Sequence, residues 1–235
     1  MFSCKQFNVA DDQCAMKIGT DAILLGAWVP LSSKVNKILD IGAGSGIITL
    51  MMAQRSIADT IDGLEIEPNA YQQAVENFEN SKWKDRLFCY HASLAEFVDE
   101  MDESYDVIVS NPPFYTEDYQ TVCNERNLAR FQNSLPPNHL FTGAYRLLSE
   151  NGVFAVIIPF LLENSIIDTA KKAGLYPDQL CRIKGNPASD YVRTMIAFKK
   201  MSNPTIRKNE LIIEKKRHCY TDEYKQLTQD FYLKF

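Results

Sequence analysis

The chain has 235 residues, of which 46% are hydrophobic and 23% charged, with a net charge of −5. That much apolar material is enough for a sizeable core and excludes an intrinsically disordered chain. The mildly acidic balance excludes a protein that grips nucleic acid through an overall basic surface, so any such contact has to use a local patch.

In chain order, Phe7-Asn8-Val9 and the block Met16-Lys17-Ile18-Gly19-Thr20-Asp21-Ala22 come first. Thr20 or Asp21 is placed to cap a helix holding Ile23, Leu24, Ala27 and Trp28, since a short polar side chain there accepts from the first free amides. Residues 35–41 read as a strand, 47–56 as a helix, 60–66 as a strand and Pro68 to about Ser81 as a helix. Strands follow at 86–91 and 105–110, with a short acidic helix at 94–101 between them. Beyond a polar, aromatic stretch come a helix at about 138–148, a turn at Glu150-Asn151-Gly152 and a strand at 153–158. A helix at about 161–173 ends near Gly174, and 176–184 can pair with 191–199 as two more strands. The tail, 205–235, is charged and aromatic and shows no clear period.

Strands alternating with helices predict a doubly wound, mostly parallel α/β sheet of seven strands, Rossmann-like, with helices on both faces. No linker or repeat interrupts it. The simplest division is one domain, with an N-terminal cap segment (1–34), a core (35–200) and a C-terminal appendage (201–235).

Leu39-Asp40-Ile41-Gly42-Ala43-Gly44-Ser45-Gly46 joins the first core strand to its helix. Glycines permit positive φ and let a ligand approach the backbone, and the helix start behind them offers unpaired N–H groups. Glu65 ends the next strand, where a carboxylate reaches a ribose hydroxyl pair. A dinucleotide loop prefers GxGxxG with a pyrophosphate at the helix end. Here the pattern is GxGxG preceded by Asp40, a poor neighbour for pyrophosphate and a good one for an ammonium group. That points to S-adenosylmethionine rather than NAD. Ala43, Ile66, Ala92 and Ser93 complete the expected cofactor lining, with Lys17 and Thr20 reaching in from the cap segment.

Asn111-Pro112-Pro113-Phe114 directly follows the fourth strand. An aromatic amino nitrogen is a poor nucleophile, because its lone pair is delocalised into the ring. Two acceptors on its two N–H bonds localise that pair. Asn111 supplies a side-chain carbonyl, Pro112 a backbone carbonyl stiffened by Pro113, and Phe114 a face on which a base can stack. Orientation is then a major catalytic term, and no metal or covalent intermediate is required. Asn111 is expected to touch the cofactor as well.

The glycine loop and Glu65 resemble the first two motifs of class I methyltransferases, and NPPF resembles the fourth motif of amino-methyltransferases. Those enzymes modify adenine N6, cytosine N4, guanine N2 or a glutamine amide. By that resemblance Gly42, Gly44 and Gly46 wrap the methionine part of the cofactor and Glu65 binds the ribose; Ser93 stands where the family often has an Asp that bonds the adenine amino group. MKIGTDAILLGAW, DIGAGSGIITLMMAQR, the glutamate and SNPPF together resemble the bacterial tRNA1(Val) (adenine-37-N6)-methyltransferase family, over about residues 5–200. The resemblance implies an unpaired adenine beside the anticodon of a tRNA, which costs little to splay out. An rRNA guanine-N2 or DNA adenine methyltransferase is the nearest alternative; a protein glutamine methyltransferase and a non-catalytic RNA-binding protein are more remote.

For the substrate, Tyr115, Arg126 and Arg130 follow NPPF as candidate lid residues, and Lys215, Lys216 and Arg217 lie in the one strongly basic stretch. The six cysteines are scattered without a CxxC pair, as reduced thiols would be. No run approaches the roughly 20 apolar residues of a membrane span, and the N-terminus has no apolar signal core. The expectation is a soluble cytoplasmic protein without a metal, with a monomer as the default state.

Overall fold

The computed structural model describes residues 1–113 and 135–234. A ribbon of β1 (Phe2–Ser3) and β2 (Asn8–Val9) opens the chain, followed by α1 (Thr20–Trp28). The core then alternates β3 (Lys37–Ile41), α2 (Ile47–Arg55), β4 (Thr60–Glu65), α3 (Pro68–Glu79), β5 (Leu87–His91), α4 (Leu94–Glu100) and β6 (Tyr105–Ser110). After the undescribed segment come α5 (Pro137–Leu147), β7 (Leu148–Pro159), a 3-10 turn at Phe160–Leu162, α6 (Glu163–Lys172), β8 (Tyr176–Lys184) and β9 (Tyr191–Lys199). The tail adds β10 (Arg207–Ile212), a small hairpin of β11 (Glu214–Lys216) and β12 (Cys219–Tyr220), and α7 (Asp222–Thr228).

The main sheet runs β10-β8-β9-β7-β6-β3-β4-β5. Only β9 is antiparallel to its neighbours. The expected doubly wound parallel architecture is present, with one strand more than the seven expected. The eighth is β10, laid parallel along β8. Its sequence hides it: of Arg207–Ile212 only Leu211 is buried, so no apolar alternation announces a strand.

Side chains alternate across the sheet as the strand period requires. Ile38, Ile61, Val107, Val109 and Ile157 pack under α1, α2, α3 and α7, while Leu39, Ile41, Leu64, Ile108 and Val156 pack under α4, α5 and α6. Strand order reverses between β3 and β6, the place where open α/β sheets bind ligands beyond the strands' carboxyl ends. The glycine loop and Asn111 both leave the sheet there.

Two local expectations change. Gly19, not Thr20 or Asp21, occupies the cap position of α1, without a side-chain cap; Asp21 lies in the first turn and pairs with Arg193 at 2.8 Å. Glu150-Asn151-Gly152 does not separate helix from strand. It bulges inside β7, whose register against β6 jumps from Tyr105↔Leu148 to Val107↔Val153. Among the described residues no helix is long and apolar enough to cross a membrane.

Candidate active site

The loop after β3 turns on glycines with positive φ: 76° at Gly42, 56° at Gly44 and 78° at Gly46. A side chain at Gly46 would meet the Phe78 ring, 2.3 Å from its Cε1. A Cβ at Gly42 or Gly44 would instead meet nothing within 4 Å, so these two line open space that side chains would fill. Within the loop, Gly42 and Ala43 donate to the Leu64 carbonyl, Gly44 to Glu65 Oε2 at 2.8 Å, and Gly46 to the Ala43 carbonyl; at the helix start the Thr49 amide is engaged by Asp40. The glycine amides of the loop are thus tied within the protein. The Glu65 carboxylate at the rim makes the loop a poorer neighbour for a pyrophosphate than for a neutral or cationic group.

Asp40 has a structural part that its place in the sequence did not announce. It is fully buried on the α2 face of β3, and its Oδ2 accepts from the Thr49 amide at 3.1 Å and hydroxyl at 2.8 Å. Asp40 thereby supports the start of the helix behind the loop, while its Oδ1 is buried without a hydrogen-bond partner among the described residues. Burial pushes its pKa up to about 7; Glu65 adds to this, and the two Thr49 bonds oppose it.

Glu65 lies at the carboxyl end of β4, its two oxygens held by the Gly44 and Glu67 amides. Ile66 beside it is 51% exposed. Beyond it His91 stacks on Tyr71, ring centroids 5.1 Å apart, with His91 Nε2 3.1 Å from the Ile66 carbonyl oxygen. Ala92 is half-buried at the same edge. Ser93 caps α4: its hydroxyl donates to Glu96 Oε2 and accepts from the Glu96 amide. One lone pair is left for any base edge.

The segment 10–18 straps across this side. Lys17 Nζ donates to the Asp11 carbonyl at 2.6 Å, and Thr20 is exposed at the start of α1. Cys14 is buried close enough to Glu65 for that charge, after burial, to help push its thiol up to about 11.

Asn111, Pro112 and Pro113 are half-buried at the end of β6. Ser110 just before them is fully buried and donates to the Ile41 carbonyl at 2.7 Å, the last residue before Gly42. That bond fixes the NPP segment against the glycine loop. Phe114, Tyr115, Arg126 and Arg130 lie outside the described residues.

The family model of the methyltransferase small domain matches residues 16–166. A tRNA1(Val) (adenine(37)-N6)-methyltransferase of Flavobacterium johnsoniae is 54% identical over 234 residues, covering all of both chains. One of the same name from Christiangramia forsetii is 53% identical, covering 99% of this chain and 98% of its own. The chain belongs to the tRNA1(Val) (adenine(37)-N6)-methyltransferase family. A predicted O-methyltransferase from Agrobacterium tumefaciens shares the fold of this family member, with a TM-score of 0.65 at 21% identity over 90% of this chain and 96% of that one.

Two residues of this methyltransferase-family chain have roles that the sequence did not assign. Ser110 is one. Asn77 is the other: buried on α3, it brackets Ala10 through that residue's amide and carbonyl and also donates to the Ser45 carbonyl at 2.8 Å. It thereby sews the strap to the glycine loop. Its partners lie 67 and 32 residues away, beyond any local pattern. In the tail, Lys215 is tied to Asp222 at 2.7 Å, whereas Lys216 and Arg217 make no ion pair among the described residues.

Proposed function

We propose that the protein transfers a methyl group from S-adenosylmethionine to the exocyclic N6 amine of an unpaired adenine in tRNA, adenine 37 of a valine tRNA. The observation that carries this reading is the junction of the glycine loop and the Asn111-Pro112-Pro113 segment at the sheet's switch point, held by the Ser110–Ile41 bond. The relatives' shared name supports the choice of base and position.

Gly42, Ala43, Gly44 and Gly46 would line the methionine part of the cofactor, Glu65 would take its ribose, and Ile66, Ala92 and Ser93 would flank its base. Lys17 and Thr20 would close the site from the strap. When bound, S-adenosylmethionine supplies an electrophilic methyl group on sulfur. The Asn111 side-chain carbonyl and the Pro112 backbone carbonyl accept from the two amine hydrogens and hold the nitrogen's lone pair in line. Phe114 would stack on the adenine. The proton released on transfer leaves to water, since its acceptors here are neutral carbonyls. Lys216 and Arg217 would meet backbone phosphates, with Lys215, Tyr115, Arg126 and Arg130 as further substrate contacts. The setting is cytoplasmic, where tRNA resides.

The test is methyl transfer from labelled S-adenosylmethionine to unmodified bulk tRNA, digested and resolved by nucleoside. Label in N6-methyladenosine from one tRNA species is the expected result. Label confined to guanosine, rRNA or protein would overturn the substrate assignment.

A further inference from the structure

Beyond the amine clamp, the same edge of the sheet carries an ordered aromatic surface that the proposed reaction has not used. The β6–β7 pairing ends at Ser110↔Val156, so Asn111–Pro113 leave the sheet next to the strand that runs on to Pro159. On its other side β7 ends with Pro159 opposite Arg193 of β9. Phe160 and Leu161 thus emerge between the NPP segment and the start of β9, Tyr191-Val192.

These side chains are held in place. The Phe160 and Tyr191 rings pack at 5.0 Å between centroids. The Arg182 guanidinium lies 5.5 Å from the first centroid and 5.8 Å from the second. Arg182 is forked by Glu163, with Nε at 3.0 Å and Nη2 at 2.6 Å, and Glu163 is buried and accepts a further bond from Thr194 at 2.8 Å. The Tyr191 hydroxyl donates to Glu210 of β10, and Lys184 Nζ sits 4.7 Å from the Tyr191 centroid. Beside this fixed group Leu161 is 88% exposed and Val192 45% exposed.

An exposed apolar surface backed by rings and a clamped guanidinium pairs naturally with a nucleobase face, because every base has a π-face that stacks without sequence-specific hydrogen bonds. The flanking charge fits the rest of a nucleotide. The Ile213 amide donates to the Lys184 carbonyl at 3.0 Å and the Glu214 amide to that of Gly185 at 2.9 Å. These bonds seat the β11–β12 hairpin on the same edge, and with it Lys216 and Arg217, which are without ion pairs among the described residues.

We propose that Phe160, Leu161, Tyr191 and Val192 form a stacking platform for the base that neighbours the target adenine in the single-stranded loop, with Lys216 and Arg217 on the adjoining backbone. This rests on the tRNA adenine reading above. The neighbouring base, parked on a rigid surface, holds the loop open while the target enters the Asn111 site. The platform therefore sets which flanking nucleotides are tolerated, favouring large purine faces.

The experiment is a cycle between protein and RNA. Full-length valine tRNA, ligated from synthetic fragments, carries either its own base or an abasic site at each position flanking adenine 37. Wild type, Phe160→Ala and Leu161→Ala are compared by kcat/KM. Leu161 is so exposed that its truncation leaves the fold intact, and it carries the test if Phe160→Ala melts early. On intact tRNA each variant is expected to lose efficiency, on the order of 10-fold or more for the ring. At one flanking position the abasic tRNA should lose a similar factor with wild type, and variant and abasic site together should do no worse than either alone. Losses that multiply at every flanking position, or variants within twofold of wild type on intact tRNA, would overturn the platform. No transfer to intact tRNA by wild type would overturn the reaction itself, and the platform with it.

Discussion

Ser110 and Asn111 are neighbours in the chain with separate duties. In the proposed reaction Asn111 presents an acceptor to the target amine, while Ser110, facing inward, ties the strand end to Ile41. Their substitutions are expected to separate accordingly. Asn111→Ala should lower kcat by a factor on the order of 100 or more while calorimetric cofactor affinity stays within about twofold, because one positioned polar contact to the reacting group is lost. Near-wild-type turnover would contradict the clamp. Ser110→Ala leaves the Ile41 carbonyl short of a buried partner and should cost about 1–2 kcal/mol in a urea melt, with a fall in kcat that restoration by Thr partly reverses. At this scale the sequence was legible where local geometry is written in contiguous residues, as in the loop glycines with positive φ. It was silent where a role depends on a partner far along the chain, as with Asn77. Asp40 was legible by its place before the glycines, but its bonds to Thr49 across the α2 face of β3 were not.

Among the elements, the buried parallel strands were the most readable, since β3, β4 and β6 have apolar runs that only a covered sheet accommodates. The bulge of β7 was not, because Glu-Asn-Gly has turn chemistry in either setting. Two acids inside this apolar sheet make testable claims. Asp40→Ala removes the acceptor of the Thr49 amide and hydroxyl at the first turn of α2 and should weaken cofactor binding about tenfold, by loosening the helix start beneath the loop. Unchanged affinity would show that the loop is held without it. Asp62 is buried on β4, accepts from the Tyr105 hydroxyl at 2.7 Å, and is pushed up to about 6, chiefly by burial. A carboxyl raised in the folded state binds its proton more tightly there than in the unfolded chain, so its contribution to stability falls as pH rises from about 4 to about 6 and stays low above that. Asp62→Asn keeps an acceptor for Tyr105 and removes the ionisation. It should be more stable than wild type at pH 8, by on the order of 2–3 kcal/mol, with the gap closing near pH 4. A gap that does not change with pH would contradict this account.

For the molecule as a whole, the alternation of strands and helices made the doubly wound sheet legible, and the tail remained opaque because its strand is mostly exposed. Yet the tail is built into the fold: β10 extends the sheet, α7 packs on the α1 face through Tyr224, and the hairpin carries Lys216 and Arg217. Reversing those two charges should weaken tRNA binding and flatten its dependence on salt by about 0.7 logarithmic units per lost phosphate contact, while cofactor affinity is unchanged. An unaltered salt slope would remove the hairpin from the interface. The central claim is that an adenine amine at position 37 receives the methyl group at the Asn111 site. It is tested most directly by single-turnover transfer to valine tRNA bearing adenine at position 37 and to the same tRNA with purine, which lacks the amine, at that position. Near-stoichiometric label in the first and none in the second is the predicted result; equal labelling of both, or of neither, would contradict it.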